Sequence, residues 1–350
     1  MHIALQVAVA AGSNVVPTLR RFGAVVLLAG LAAHGAAAAE PSKVVGPNAC
    51  AECHKEESKA WATTHHFKTF RELPRRKKGK SIAKNMGIRR VRSEGMCLNC
   101  HYTVQRKGNQ SRAIAGISCE SCHSAAADWV KVHSGYSGKT KKTESKAERA
   151  KRWKRSEAKG MLRPSALYRI AKNCYGCHVV PQEKLVNKGG HPAGSPFELV
   201  SWSQGEVRHN TWHSEGKSNV AADARRKRML FLVGLGVELE TSIRAVSTAT
   251  KRSLYAFAMA RRVDRARSRL ATAAKAVPSI TELPKMIAHA YSSGLKLNNK
   301  AALTAAADGV AALTKAIAGK YDGGTMAGLD AMIPGPNKFK GKPRAVGAGK

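Results

Sequence analysis

The sequence predicts a mainly α protein in two parts: a loop-rich first part organised by one short motif repeated four times, then an Ala-rich α-helical bundle. Three observations predict it. All eight cysteines fall in the repeated motif before residue 180, no sustained strand-like alternation of apolar and polar residues runs through the chain, and from about Val220 apolar residues recur at helical spacing. Aromatic residues are only 5% of the 350, thin for side chains alone to fill a core of this size, so a bulky group of another kind is expected in the middle. With 60 Lys and Arg against 23 Asp and Glu the formal charge is +37, and 43% of residues are hydrophobic. Such a chain is neither a disordered tail nor an integral membrane bundle. Its charge first suggests nucleic acid as a partner.

The amino terminus argues against that partner. Arg20 and Arg21 precede a small apolar run, Phe22–Ala33, which ends in Gly35-Ala36-Ala37-Ala38-Ala39 before Glu40-Pro41. This is the layout of an export signal over residues 1–39 with cleavage after Ala39. The apolar run falls short of the roughly 20 residues a membrane-spanning helix needs, so a periplasmic protein with no transmembrane segment in its mature chain is expected. Removing residues 1–39 takes away two Arg and no acid, leaving a formal +35. An exported protein does not ordinarily meet the chromosome, so no nucleic acid is expected.

The motif-bearing part is assigned residues 40–220. Its cysteines read Cys50-Ala51-Glu52-Cys53-His54, Cys97-Leu98-Asn99-Cys100-His101, Cys119-Glu120-Ser121-Cys122-His123 and Cys174-Tyr175-Gly176-Cys177-His178. Zinc sites or disulfides would also use cysteines in pairs, but neither requires a His directly after each second Cys. C-x-x-C-H is the attachment signal of c-type haem: the two thiols add to the two vinyl groups of one porphyrin, and the adjacent imidazole sits beneath the iron as proximal ligand. Four covalently bound haem c groups are therefore expected, making this a loop-rich tetrahaem domain whose macrocycles supply the missing apolar surface. What each haem does depends on its sixth ligand, because two strong ligands leave only outer-sphere electron transfer while an open position admits a small molecule. The His residues outside the motifs and the signal are His65, His66, His133, His191, His209, His213 and His289.

Gly46-Pro47-Asn48-Ala49 ahead of the first motif, Lys55 behind it, then Trp61, Thr64, His66 and Lys68 resemble the opening of the tetrahaem cytochrome c-554 family, electron carriers of ammonia-oxidising metabolism and their relatives. Gly116-Ile117-Ser118 before the third motif, with His133 ten residues after it, is similar to that family's third haem site. The resemblance covers roughly residues 46–180. It implies that His66 is distal to the haem on His123 and His133 distal to the haem on His54. Glu56 to His66 reads as one helix with Trp61 and Phe67 facing inwards, able to present an imidazole at its end; His65 is the local competitor. The sequence departs from the family twice. Tyr168 to Asn173, where the family has the fourth haem's distal His, contains none, so His191 or His209 is expected there, with His213 nearby. The haem on His101 has an open distal side in the family, yet here spare His residues could close it.

Between the third and fourth motifs, Lys139 to Arg163 holds 11 Lys or Arg and three Glu, either a solvated helix face or a docking surface for a redox partner with an acidic face. The cluster Arg75-Arg76-Lys77-Lys78-Gly79-Lys80 could extend it. Residues 221–320 read as the bundle: Met229, Leu232, Val233, Val237, Glu240 and Ile243, then Leu254, Phe257, Ala258 and Met259, with further helices near 281–297 and 300–320. His289 is expected on a helix face without a ligand role. Residues 321–350, rich in Gly, Pro and Lys, read as a loose basic tail. The function expected is an electron carrier that performs no reaction on a substrate. The alternatives are a reductase of a small nitrogen species at an open haem on His101, or a docking subunit of a redox enzyme.

Overall fold

The structure, a computed structural model, describes residues 39–346; apart from Ala39, the expected export signal lies outside them. The fold is mainly α. In the motif-bearing part short helices follow one another: α1 (Pro47–Ala51), α2 (Lys55–Ala62), α3 (His65–Glu72), α4 (Lys77–Met86) and α5 (Gly95–His101). A hairpin, β1 (Thr103–Lys107) and β2 (Gln110–Ala115), interrupts them, and α6 (Cys119–His123), α7 (Val130–Ser134), α8 (Lys146–Ala158), α9 (Leu167–His178), α10 (Glu183–Asn187) and α11 (Leu199–Ser203) complete this part. The bundle is α12 (Ala224–Ser247), α13 (Leu254–Ala276), α14 (Glu282–Tyr291) and α15 (Lys300–Lys320).

The hairpin was not expected. Its strands pair antiparallel, Val104 with Ala113 and Lys107 with Gln110, around the two-residue turn Gly108-Asn109, with Gly108 at φ +56°. That turn chemistry was the available signal, a Gly-Asn pair between two short runs.

The helix expected over Glu56 to His66 is two helices. Thr63 closes the first and Thr64 caps the second, its hydroxyl accepting from the Phe67 N–H, so His65 and His66 open α3 instead of closing α2. Trp61 donates its indole N–H to the Ile117 carbonyl at 2.7 Å, while Phe67, expected inside, stays 39% exposed and meets Trp61 edge-on.

The core joins the two parts. Leu167, Ala171, Tyr175 and Val179 recur every four residues, giving α9 one buried face, and that face packs on α12. From Met229 to Ile243 α12 is buried on all sides, with α9, α11, α13 and α15 around it. An all-round buried helix cannot show the one-sided pattern of a surface helix, yet it carries Glu238 and Glu240 inside. Glu240 accepts from the Tyr168 hydroxyl (2.7 Å), Lys172 and Arg244, so its charge is paired from both parts. Among the described residues α15 is the one helix long and apolar enough to cross a membrane, and its Leu303, Ala307, Val310 and Ile317 face the bundle core. Of the residues whose helical spacing marked this helix, Leu254 and Phe257 are exposed, whereas Met259 is fully buried.

The tail expected to be loose is seated. Residues 321–346 return along the bundle to the motif-bearing part, where Lys340 N donates to the Ser201 carbonyl, Glu206 N donates to the Lys340 carbonyl, and Asn219 donates to the Arg344 carbonyl. Arg344 then pairs with Glu56 of α2 at 2.7 Å. A Cβ on Gly205 would lie 2.0 Å from the Lys340 carbonyl oxygen, so the strap can approach only because residue 205 has none.

Candidate haem sites

Each motif ends a short helix or helical turn that places its His beside the next loop. Ser118 caps α6 in a reciprocal box with Ser121, while α9 carries the fourth motif at its carboxyl end. None of the eight cysteines, Cys50, Cys53, Cys97, Cys100, Cys119, Cys122, Cys174 and Cys177, is paired in a disulfide. Helix α6 packs against α1 and α9, Asn173 donates to the Cys122 carbonyl at 3.2 Å, and Cys177 Sγ lies 4.0 Å from the Asn99 carbonyl of the second motif. The motifs therefore adjoin in the order first, third, fourth, second.

Every motif His faces one further His. Ring centroids lie 6.0 Å apart for His54 and His133, and 6.3 Å apart for His101 with His191, His123 with His209, and His178 with His66. Metal–imidazole bonds of about 2 Å on opposite sides of one ion require ring centroids about 6 Å apart, so these spacings fit an iron between each pair. The residues thus suit the group the motifs imply. All eight His expected as ligands take part, but with partners that differ from the expectation. His66 lies against His178, not His123; His209 lies against His123, not the fourth motif; and His191 lies against His101. The capping break at Thr64 explains the first change, since it turns His66 into the opening turn of α3. His65 points elsewhere, its Nδ1 2.7 Å from the buried Glu206, and His213 is exposed.

Burial keeps these imidazoles in the form that ligates. It pushes His101, His133 and His178 down to about 4 and lowers His66 and His123, so all five are neutral at neutral pH. Other groups orient the rings. His123 Nδ1 lies 2.7 Å from the Leu162 carbonyl, His178 Nδ1 lies 2.9 Å from the Ser195 hydroxyl, and His209 Nδ1 lies 2.7 Å from the Val207 carbonyl. Glu57 stands 3.5 Å from His54 Nδ1, with Trp212 against the same ring at 4.5 Å and Lys141 over the Trp212 face.

Two supports escaped the sequence reading. Glu120, inside the third motif, is 1% exposed and accepts from the N–H groups of Val45, Gly46 and Ala126, tying that motif to the chain just before the first. Arg152, in the middle of the basic helix α8, is buried, pairs with both oxygens of Glu144 and donates to the His133 carbonyl. A capping box at Ser145 and Glu148 was legible; one buried Arg among many exposed ones was not. Beside His133, an open depression of about 500 Å³ is lined by Lys131, Gly135, Ser137, Glu148, Lys151 and Arg155.

Comparison with known proteins places this geometry. The family model described as "Cytochrome c554 and c-prime" matches residues 49–124, which contain the first three motifs. Cytochrome c-554 of Nitrosomonas europaea is 23% identical over 165 residues, 43% of this chain and 64% of that relative, so the chain spans a little under two thirds of it. No solved structure gives a significant match. Motifs, family model and relative agree on one stretch: this part of the chain is similar to the c-type cytochromes of the cytochrome c-554 family, a likeness that implies covalently bound haem c.

Proposed function

We propose that the chain is an exported tetrahaem cytochrome that carries single electrons between periplasmic redox partners, with two His ligands for every iron. The observation that carries this reading is the facing of each motif His by a second His at 6.0 to 6.3 Å. Cys50 and Cys53, Cys97 and Cys100, Cys119 and Cys122, and Cys174 and Cys177 would hold the porphyrins; His54 with His133, His101 with His191, His123 with His209, and His178 with His66 would hold the irons. The bound group supplies one-electron chemistry at iron. Burial keeps His66, His101, His123, His133 and His178 neutral, and Leu162, Ser195 and Val207 orient His123, His178 and His209. The signal-like residues 1–39 support the periplasmic location.

Exposed Lys146, Lys151, Lys154, Arg155 and Lys159 on and beside α8 support an acidic redox partner docking near the first haem. His191, seated opposite His101, favours the carrier over a reductase with an open position there. Electron paramagnetic resonance of the oxidised protein tests this directly. Low-spin signals alone are expected; a substantial high-spin signal that shifts with nitric oxide would overturn the carrier reading.

A further inference from the structure

The helical bundle lies outside the segment matched by the family model, and the motif chemistry gives it no task. A polar path from the bundle to a motif His runs through α13. Arg262 is 6% exposed; it donates from NH1 to the Ser195 carbonyl at 2.8 Å and pairs through NH2 with Glu238 of α12 at 2.9 Å. Ser195 in turn sets its hydroxyl 2.9 Å from His178 Nδ1 and donates its own N–H to the His178 carbonyl at 2.9 Å. The neighbouring Gly194 holds φ +84°, and a Cβ there would lie 2.9 Å from Arg262 NH1, so the loop is shaped around the guanidinium. Phe197, two residues on, stacks on the His178 ring at 4.3 Å and belongs to the core shared with α12. An arginine this buried, with both arms of its fork committed, fixes the position of what it holds.

We propose that the bundle is the outer shell of the fourth haem site: Glu238 and Arg262 hold Ser195 against His178 and so set the reduction potential of that haem alone. The proposal rests on the reading that His178 ligates iron. With Nε2 on the metal, Nδ1 carries the proton and donates to the Ser195 hydroxyl, which makes the imidazole a stronger electron donor and favours the ferric state. Arg262 acts through Ser195 and is a positioning residue.

Mass spectrometry of the intact protein first counts the covalent haems. Fewer than four would overturn the tetrahaem reading itself, and a Cys174→Ala, Cys177→Ala variant identifies which redox transition belongs to the fourth. Potentiometric titration of the holoprotein then tests the proposal. Ser195→Ala removes only a hydroxyl, and it is expected to raise the fourth potential while the other three stay in place. Arg262→Lys keeps the charge but loses the fork, and a shift in the same direction at the same haem is expected. In the double variant no shift beyond that of Ser195→Ala is expected, because both changes break one connection. Independent addition of the two shifts, equal movement of all four potentials, or an unmoved fourth potential in Ser195→Ala would overturn the proposal.

Discussion

His54 and His133 hold their ring planes 14° apart, whereas His123 and His209 stand at 88°. Ring planes set how the two axial ligands split the iron orbitals, so near-parallel rings give a rhombic low-spin signal and near-perpendicular rings a strongly anisotropic one. The oxidised protein should therefore show at least two classes of low-spin resonance, and removing His209 by Met should abolish the most anisotropic. His66→Met should alter the haem on His178 and leave the one on His123 unchanged; the reverse would restore the pairing that family resemblance implied. Titration gives a second prediction at this scale. Unfolded His takes up protons near pH 6.5, while burial holds His101, His133 and His178 at about 4. The folded values are depressed, so the stability they contribute is complete above about pH 6.5 and is lost as pH falls to about 4. Thermal unfolding should show a midpoint that falls across that window. A midpoint that does not move between pH 7 and 4 would contradict this.

Elements are joined here by single buried polar groups as much as by apolar faces. Glu120 of α6 receives three backbone N–H groups, one of them from Gly46 at the start of α1. Glu120→Gln keeps the shape but turns one acceptor into a donor facing donors, and a loss of about 2 kcal/mol is expected in denaturant unfolding. No change in the unfolding midpoint would show that water already replaces those contacts. In the bundle, Leu239→Ala on the fully buried α12 should cost about 3 kcal/mol, read the same way. The helical periods of the bundle, the four motifs and the eight His were legible because each leaves a local pattern in the chain. Which His faces which was not, since His66 and His178 meet only through the cap at Thr64 and the contact of the second and fourth motifs, and neither is local. The tail was misread for a related reason. Its Gly, Pro and Lys content describes a segment without secondary structure, and such a segment can still be held by its backbone, as Lys340 and Arg344 are.

Charge belongs to the whole molecule. Two ionised propionates on each of four haems would lower the formal +37 by about eight, and ferric centres would return up to about four, which would leave a holoprotein still strongly basic. Electron exchange with an acidic partner should slow as salt is added, since exposed charges are screened over about 10 Å at 0.1 M ionic strength. Replacing Lys151 and Arg155 by Glu should cut the bimolecular rate roughly tenfold at low salt and much less at high salt, measured by stopped flow. A rate independent of salt would place the docking surface elsewhere. The facing His pairs also bear on how the chain comes apart. Bridged by iron, each pair closes a loop of roughly eighty to a hundred and ten residues, and His54–His133, His66–His178, His101–His191 and His123–His209 interlace so that every loop overlaps every other. Cross-links of that kind strip conformational freedom from the denatured chain and leave no stretch between the first motif and His209 able to open by itself. Unfolding should then be a single event for the motif-bearing part, and reduction or loss of one iron should be felt as slack along the whole of it.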